Sequence, residues 1–252
     1  MKDQIVDEIV WRIPESINYL YKNDLMLLDF MATNDWTRAV YFTSLSDIKN
    51  VLGIDKYLHQ EGLAHRFMPV LASDYHKDAG GVFIEGSYEL LMADDIRWGN
   101  LNLPEVSVDP ESRRNLLFVK QAYMRLAQAL VNRNQNDSAI AVLDKCQEFF
   151  PDEKIPYDLY MMAYPEIYYK AGAIEKGDEL INKIIANCLD NLRYFSELDD
   201  RFIPYYTENI RENLAMINEM SNVASQYNRM ELSKSLENTL EQEFNKFLGI
   251  FN

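Results

Sequence analysis

The sequence predicts a mainly α fold in which helical hairpin repeats follow a small α/β unit. Three observations lead to it. Hydrophobic periodicity changes from mixed to purely helical at Asp109. Two amphipathic runs then lie on either side of a short polar turn, and small residues recur where such helices cross. The expected division is residues 1–107 for the α/β unit and residues 108–252 for the helical domain.

In the first part, Asp24–Met31 reads as a short helix with apolar residues at 25, 28 and 31–32 and Asn23 or Asp24 as its cap. Thr33-Asn34-Asp35 is a turn, and Ala39–Thr43 is short and rich in β-formers. A second helix is expected over Gly53–Leu63 and a second strand over Arg66–Leu71. A third helix should run from Ser87 to Trp98, with Gly99 as its C-cap. Ser73–Gly81 between them has the composition of a polar loop.

Asp109-Pro110-Glu111 is a helix start: an N-cap carboxylate, proline at the first helical position, and acid in the first turn. Apolar residues follow at 116, 119, 123, 126, 127 and 130, until Asn134–Asp137 breaks the helix. A second helix presents Ala139, Ile140, Leu143 and Cys146 and stops at Pro151. From Lys120 the residues Tyr123, Leu126, Ala127, Leu130, Ala139, Leu143, Cys146 and Pro151 fall in the register of a tetratricopeptide repeat, so the hairpins are expected to be tetratricopeptide-like. Small side chains at 127 and 139 let the two helices approach closely.

A second hairpin is expected from Pro156, with Tyr160, Tyr164, Tyr168 and Ala171 on its first helix. Pro165 stands where a small residue is wanted, so a kink is expected there. Gly172 turns the chain, and Gly177, Ile181 and Ile184 face inward on the next helix. Pro204 opens a long helix bearing Ile210, Leu214, Ile217, Ala224 and Tyr227. A final helix carries Leu236, Leu240, Phe244 and Phe247, and these last helices are read as the cap of the array.

Composition narrows the function. Forty acidic residues against 25 basic ones give a net charge of −15, which repels phosphate backbones, and no nucleic-acid partner is expected. No apolar run approaches the roughly 18 residues needed to span a bilayer, so no direct membrane insertion is expected. The first residues are too charged for a signal peptide. Cys146 and Cys188 fall in apolar helical patterns and give no disulfide framework.

Several blocks resemble the soluble C-terminal region of a bacterial family of multi-spanning membrane proteins, long a domain of unknown function (number 2723). They are Asp24–Asp29 leading to Ala32–Phe42, Leu52–Leu58 running to Glu61–Arg66, then Arg97–Asn100, Asp137–Ile140 and Lys154–Asp158. The family is similar to the transmembrane protein 260 type of protein O-mannosyltransferase, with a membrane-embedded body ahead of a tetratricopeptide tail. Ala39-Val40 departs from the Pro-Ile of that pattern. The resemblance implies that the catalytic groups lie in the membrane part, so that no catalytic residue is carried over to this chain. It implies a periplasmic location, tethered through that membrane region. The partner would be a protein or peptide, glycan-bearing or not, or the membrane portion of the same protein. The alternative is an independent cytoplasmic adaptor that binds partner peptides.

No nucleophile, phosphate-loop, dinucleotide or zinc-protease motif occurs, and neither an enzymatic role nor a cofactor is expected of this chain. Asp74, His76 and Asp78 offer too few donors for a metal site, and His59 and His65, read as helical, would face apart. The tyrosines at 157, 160, 164 and 168 are the candidate binding residues. Their rings would either line a concave groove that grips a peptide or glycan, or fill the space between hairpins.

Overall fold

A computed structural model describes residues 5–9, 15, 18–43, 54–71, 80–199 and 201–250. The chain divides into two compact units, residues 1–96 and 97–252. Residues 97–107 thus group with the helices: Trp98 packs edge-on against Phe150 at 5.1 Å, and the Lys154 ammonium donates to the carbonyls of Pro104 at 2.5 Å and Val106 at 2.6 Å.

In the first unit, helix α1 (Lys22–Thr33) precedes strand β1 (Val40–Phe42). Asp24 acts from inside the first turn, its carboxylate accepting from the Tyr21 N–H at 2.8 Å. Asp35 and Trp36 are both left-handed, with φ of 50° and 57°, and the Trp36 ring stacks on Phe67 at 5.3 Å. The helix expected over Gly53–Leu63 is instead one 3₁₀ turn (Asp55–Tyr57) and strand β2 (Leu58–Glu61), which turns into strand β3 (Ala64–Phe67). Gly62, at φ 65°, opens the two-residue turn between the paired Glu61 and Ala64, a site that suits glycine. Strand β4 (Gly81–Val82) completes the order β1-β3-β2-β4, antiparallel except for the β2/β4 pair.

His59 and His65 therefore lie on adjacent strands, opposite Arg66 and Gln60, and point to opposite faces. The His59 ring donates to the Val70 carbonyl at 2.9 Å. Helix α2 (Ile84–Leu91) is shorter and earlier than expected. It is pinned to the hairpin by Ser87, whose hydroxyl donates to the Gln60 carbonyl at 2.8 Å and accepts from the Gly62 N–H at 3.2 Å. Met31, Ile54, Tyr57, Leu58 and Phe67 form this unit's core.

Among the described residues the second unit holds three helical hairpins. Helices α3 (Pro110–Asn132) and α4 (Asn136–Phe149) form the first, and Asp109 caps α3 by accepting from the N–H groups of Glu111 and Ser112. The Ser112 hydroxyl and these N–H groups hold the Asp109 carboxyl below its ordinary range. Helices α5 (Ala163–Lys170) and α6 (Ile174–Ser196) form the second, and α7 (Thr207–Gln226) and α8 (Met230–Lys246) the third. Pro156 does not open α5. A 3₁₀ turn at Leu159–Met161 leads in, and Pro165 falls in the first turn of α5, where a missing N–H costs nothing. Phe244 is exposed on α8, whereas Phe247 is buried.

All three hairpins turn the same way. A left-handed residue stands at the turn each time: Asn134 (φ 59°), Gly172 (φ 87°) and Asn228 (φ 60°). The next N–H reaches back to the last helical turn, from Gln135 to Leu130 and from Ala173 to Tyr168 at 2.9 Å, and from Arg229 to Ala224 at 2.8 Å. This is the Schellman closure. Ser221 and Ser233 meet across the third pair, and Ala127, Ala139, Pro165 and Gly177 are buried in the first two. A Cβ on Gly177 would meet the Tyr169 ring at 2.4 Å, so only glycine fits there. The final pair of helices, expected as a cap, thus repeats the same hairpin.

Tyr123, Leu126, Ala127, Leu130, Ala139, Leu143 and Cys146 are all buried in the first hairpin. Leu126→Ala or Leu143→Ala is expected to cost about 2–4 kcal/mol, since each removes a fully buried side chain. Urea denaturation measures this, and unchanged midpoints in both variants would contradict the packing.

Candidate functional site

The candidate site is a cleft of about 520 Å³ in the helical unit. One wall is the end of α4, through Asp144, Gln147 and Glu148; the other is the start of α6, through Lys176, Glu179, Leu180 and Lys183. The link from Pro151 to Tyr157 closes the third side, and Tyr168 of α5 lies at the base.

What shapes the cleft is a polar network inside the first two hairpins. Lys120 occupies the apolar stripe of α3 and is fully buried. Its ammonium donates to the Ile155 carbonyl at 2.9 Å and lies 4.9 Å from the centre of the Tyr157 ring. Burial holds this ammonium below its ordinary pKa, while Cys146, Asp158 and Asp152 act the other way. The Tyr157 N–H donates to the Asp152 carboxylate at 2.6 Å, and Asn187 of α6 donates to the same oxygen at 2.8 Å. The link is thereby tied to α3 on one side and to α6 on the other.

The four sequence-identified tyrosines divide between these surroundings. Tyr164 is fully buried, its hydroxyl donating to the Lys120 carbonyl at 2.7 Å and accepting from the Cys146 thiol at 3.2 Å. The buried Tyr168 donates to Asp144 at 2.8 Å and accepts from the Gln147 amide at 2.5 Å. The buried Tyr157 donates to the other end of Gln147 at 3.4 Å. Tyr160, 45% exposed, lies outside the cleft lining. The four rings therefore do not form one exposed stripe: three pack inside the hairpins, and of these only Tyr157 and Tyr168 reach the cleft.

Sequence reasoning passed over Lys120, Asp144, Gln147, Asp152 and Asn187. One signal was available for Lys120: a charge between Leu116 and Tyr123, on the face that must be buried. The polar residues of the cleft sit on exposed-looking faces of their own helices, and only the stacking of hairpins brings them together.

The lining is acidic. Lys176 pairs with Asp144 at 2.5 Å and Lys183 with Glu179 at 2.8 Å, so both lysines are engaged. Among the described residues Glu148, Asp152 and Glu153 form no ion pair. The Cys146 thiol is pushed up to about 12 by burial, as is Cys188, and both cysteines are free. No group of His, Cys, Asp and Glu among the described residues is arranged to hold a metal ion, and Asp74, His76 and Asp78 lie outside those residues. No described helix is long and apolar enough to cross a membrane.

Residues 1–84 match the family described as TMEM260-associated domain 2. The match takes in α1 and all four strands and stops at the first residue of α2. It supports a TMEM260-type family for this part of the chain, and the blocks at Arg97–Asn100, Asp137–Ile140 and Lys154–Asp158 lie beyond it. No curated protein and no solved structure matches the chain.

Alkaline pH is expected to unfold the chain. Burial raises the phenols of Tyr123, Tyr157, Tyr164, Tyr168 and Tyr169, as it does the two thiols. The unfolded chain releases these protons from about pH 8.5 (Cys) and 10 (Tyr), while the native state still holds them, so stability falls as pH rises through that window. Lys120 opposes the trend: its lowered pKa adds stability as pH rises, but it is a single group against these phenols and thiols. Urea midpoints from pH 7 to 11, read beside phenolate absorbance, should decline together with tyrosine ionisation; flat midpoints would contradict the assignment.

Proposed function

We propose that this chain is a noncatalytic, extracytoplasmic module of a TMEM260-type, protein O-mannosyltransferase-like membrane protein, and that it binds acceptor polypeptide. The observation that carries the reading is the match of residues 1–84 to a TMEM260-associated domain, in a chain whose remainder is a stack of helical hairpins with an open cleft. Such stacks present extended concave surfaces well suited to polypeptides. The chemistry of the cleft agrees with binding rather than turnover: its phenols are held protonated, its lysines are paired, and the nearby thiol is inert at neutral pH.

The test supplies the purified chain with a lipid-linked mannose donor and a Ser/Thr-rich acceptor polypeptide. Calorimetry is expected to detect acceptor binding, and mass spectrometry to detect no glycosylated product. Sugar transfer by the chain would overturn the noncatalytic assignment. Absence of binding to any polypeptide would overturn the acceptor role.

A further inference from the structure

The geometry points to the cleft between α4 and α6 as a seat for a basic segment of polypeptide, taking one arginine or lysine side chain lengthwise. This deepens the acceptor-binding reading above and rests on it. Size comes first: about 520 Å³ lies within the range of sites that enclose a small ligand, and exceeds what one side chain fills. Charge comes next. The two lysines of the lining already engage Asp144 and Glu179, which leaves Glu148, Asp152 and Glu153 facing the cleft with no ion-pair partner among the described residues.

The third consideration is shape. Asp152 is held in place before any ligand arrives, because one carboxylate oxygen accepts from both the Tyr157 N–H and the Asn187 amide, and a fixed acceptor loses little freedom on binding. Beside it, Pro151, Leu180 and the rings of Tyr157 and Tyr168 give an apolar wall. An arginine or lysine has the matching construction: a methylene stem that lies on apolar surface and a cationic head that seeks carboxylates. An acidic or purely apolar segment would cover Glu148 and Glu153 without giving either a counter-charge, which is costly. Tyr160 takes no part, since it lies outside the lining.

The experiment measures fluorescence anisotropy of a labelled Gly/Ser peptide bearing paired arginines, of its counterpart with glutamates, and of competition by spermidine. The full chain is compared with a Glu148→Gln, Glu153→Gln double variant. Both of those residues are exposed, and circular dichroism checks the fold. Asp152 is left intact because it holds the Tyr157 backbone. Saturable binding of the arginine peptide alone is expected, weakened by salt and reduced at least about fivefold in the double variant. Equal binding to wild type and variant, or equal binding of both peptides, would overturn the cleft assignment and leave acceptor binding standing. Spermidine binding as tightly as the peptide would overturn the polypeptide occupant in favour of a small polycation. Failure of every peptide to bind would overturn both readings.

Discussion

Taking an ammonium group out of water is unfavourable unless acceptors and a polarisable surface replace the solvent, and the interior of the first two hairpins supplies both for Lys120. The Ile155 carbonyl accepts from it, the Tyr157 ring faces it, and the Tyr164 hydroxyl bonds to its own backbone carbonyl. One residue of α3 thus holds the link between hairpins and the first turn of α5. Asn187 holds the same link from the side of α6, through Asp152 and the Tyr157 carbonyl, so Lys120 supplies the anchor on the side of α3.

Around this lock the helical unit is regular. Three left-handed turns with the same reach-back hydrogen bond close the hairpins in the same way. Successive hairpins are tied by polar contacts as well as apolar ones. Asp178 accepts from the Tyr169 hydroxyl at 2.7 Å and pairs with Arg229, so the second and third turns share one carboxylate. Asn191 of α6 donates to Asn213 of α7 at 3.1 Å, further along the same junction. What differs between hairpins is helix length: α5 is short because Pro165 can stand only in a first turn, while α6 and α7 run long.

Much of this was legible in the residues. Asp109-Pro110-Glu111 announced α3, and the apolar stripes that carry the buried Ala127 and Ala139 announced its pairing with α4. The hairpin of β2 and β3 was not, because Leu58–Glu61 and Ala64–Phe67 are four residues each, mostly polar and without a clear alternation, and only their pairing decides for strand. The third repeat carries serines, Ser221 and Ser233, where the first carries alanines, and their hydroxyls lie 3.1 Å apart, buried between the two helices. The tyrosines left two alternatives open for a related reason, and three of them fill the space between helices. Four-residue spacing places side chains on one face of a helix, but a helix inside a stack buries that face, and the spacing does not say which way it points. The cleft was illegible since its carboxylates come from two helices and a link, assembled by packing alone.

The central claim is that Lys120 orders the link and so gives the cleft its form. Hydrogen exchange followed by mass spectrometry, on the wild type and on Lys120→Met, tests it most directly. The amides of the link around Asp152–Asp158 should exchange at least about tenfold faster in the variant, while α3 and α4 keep their protection. Unchanged protection of the link, or an equal loss across every helix, would contradict the account.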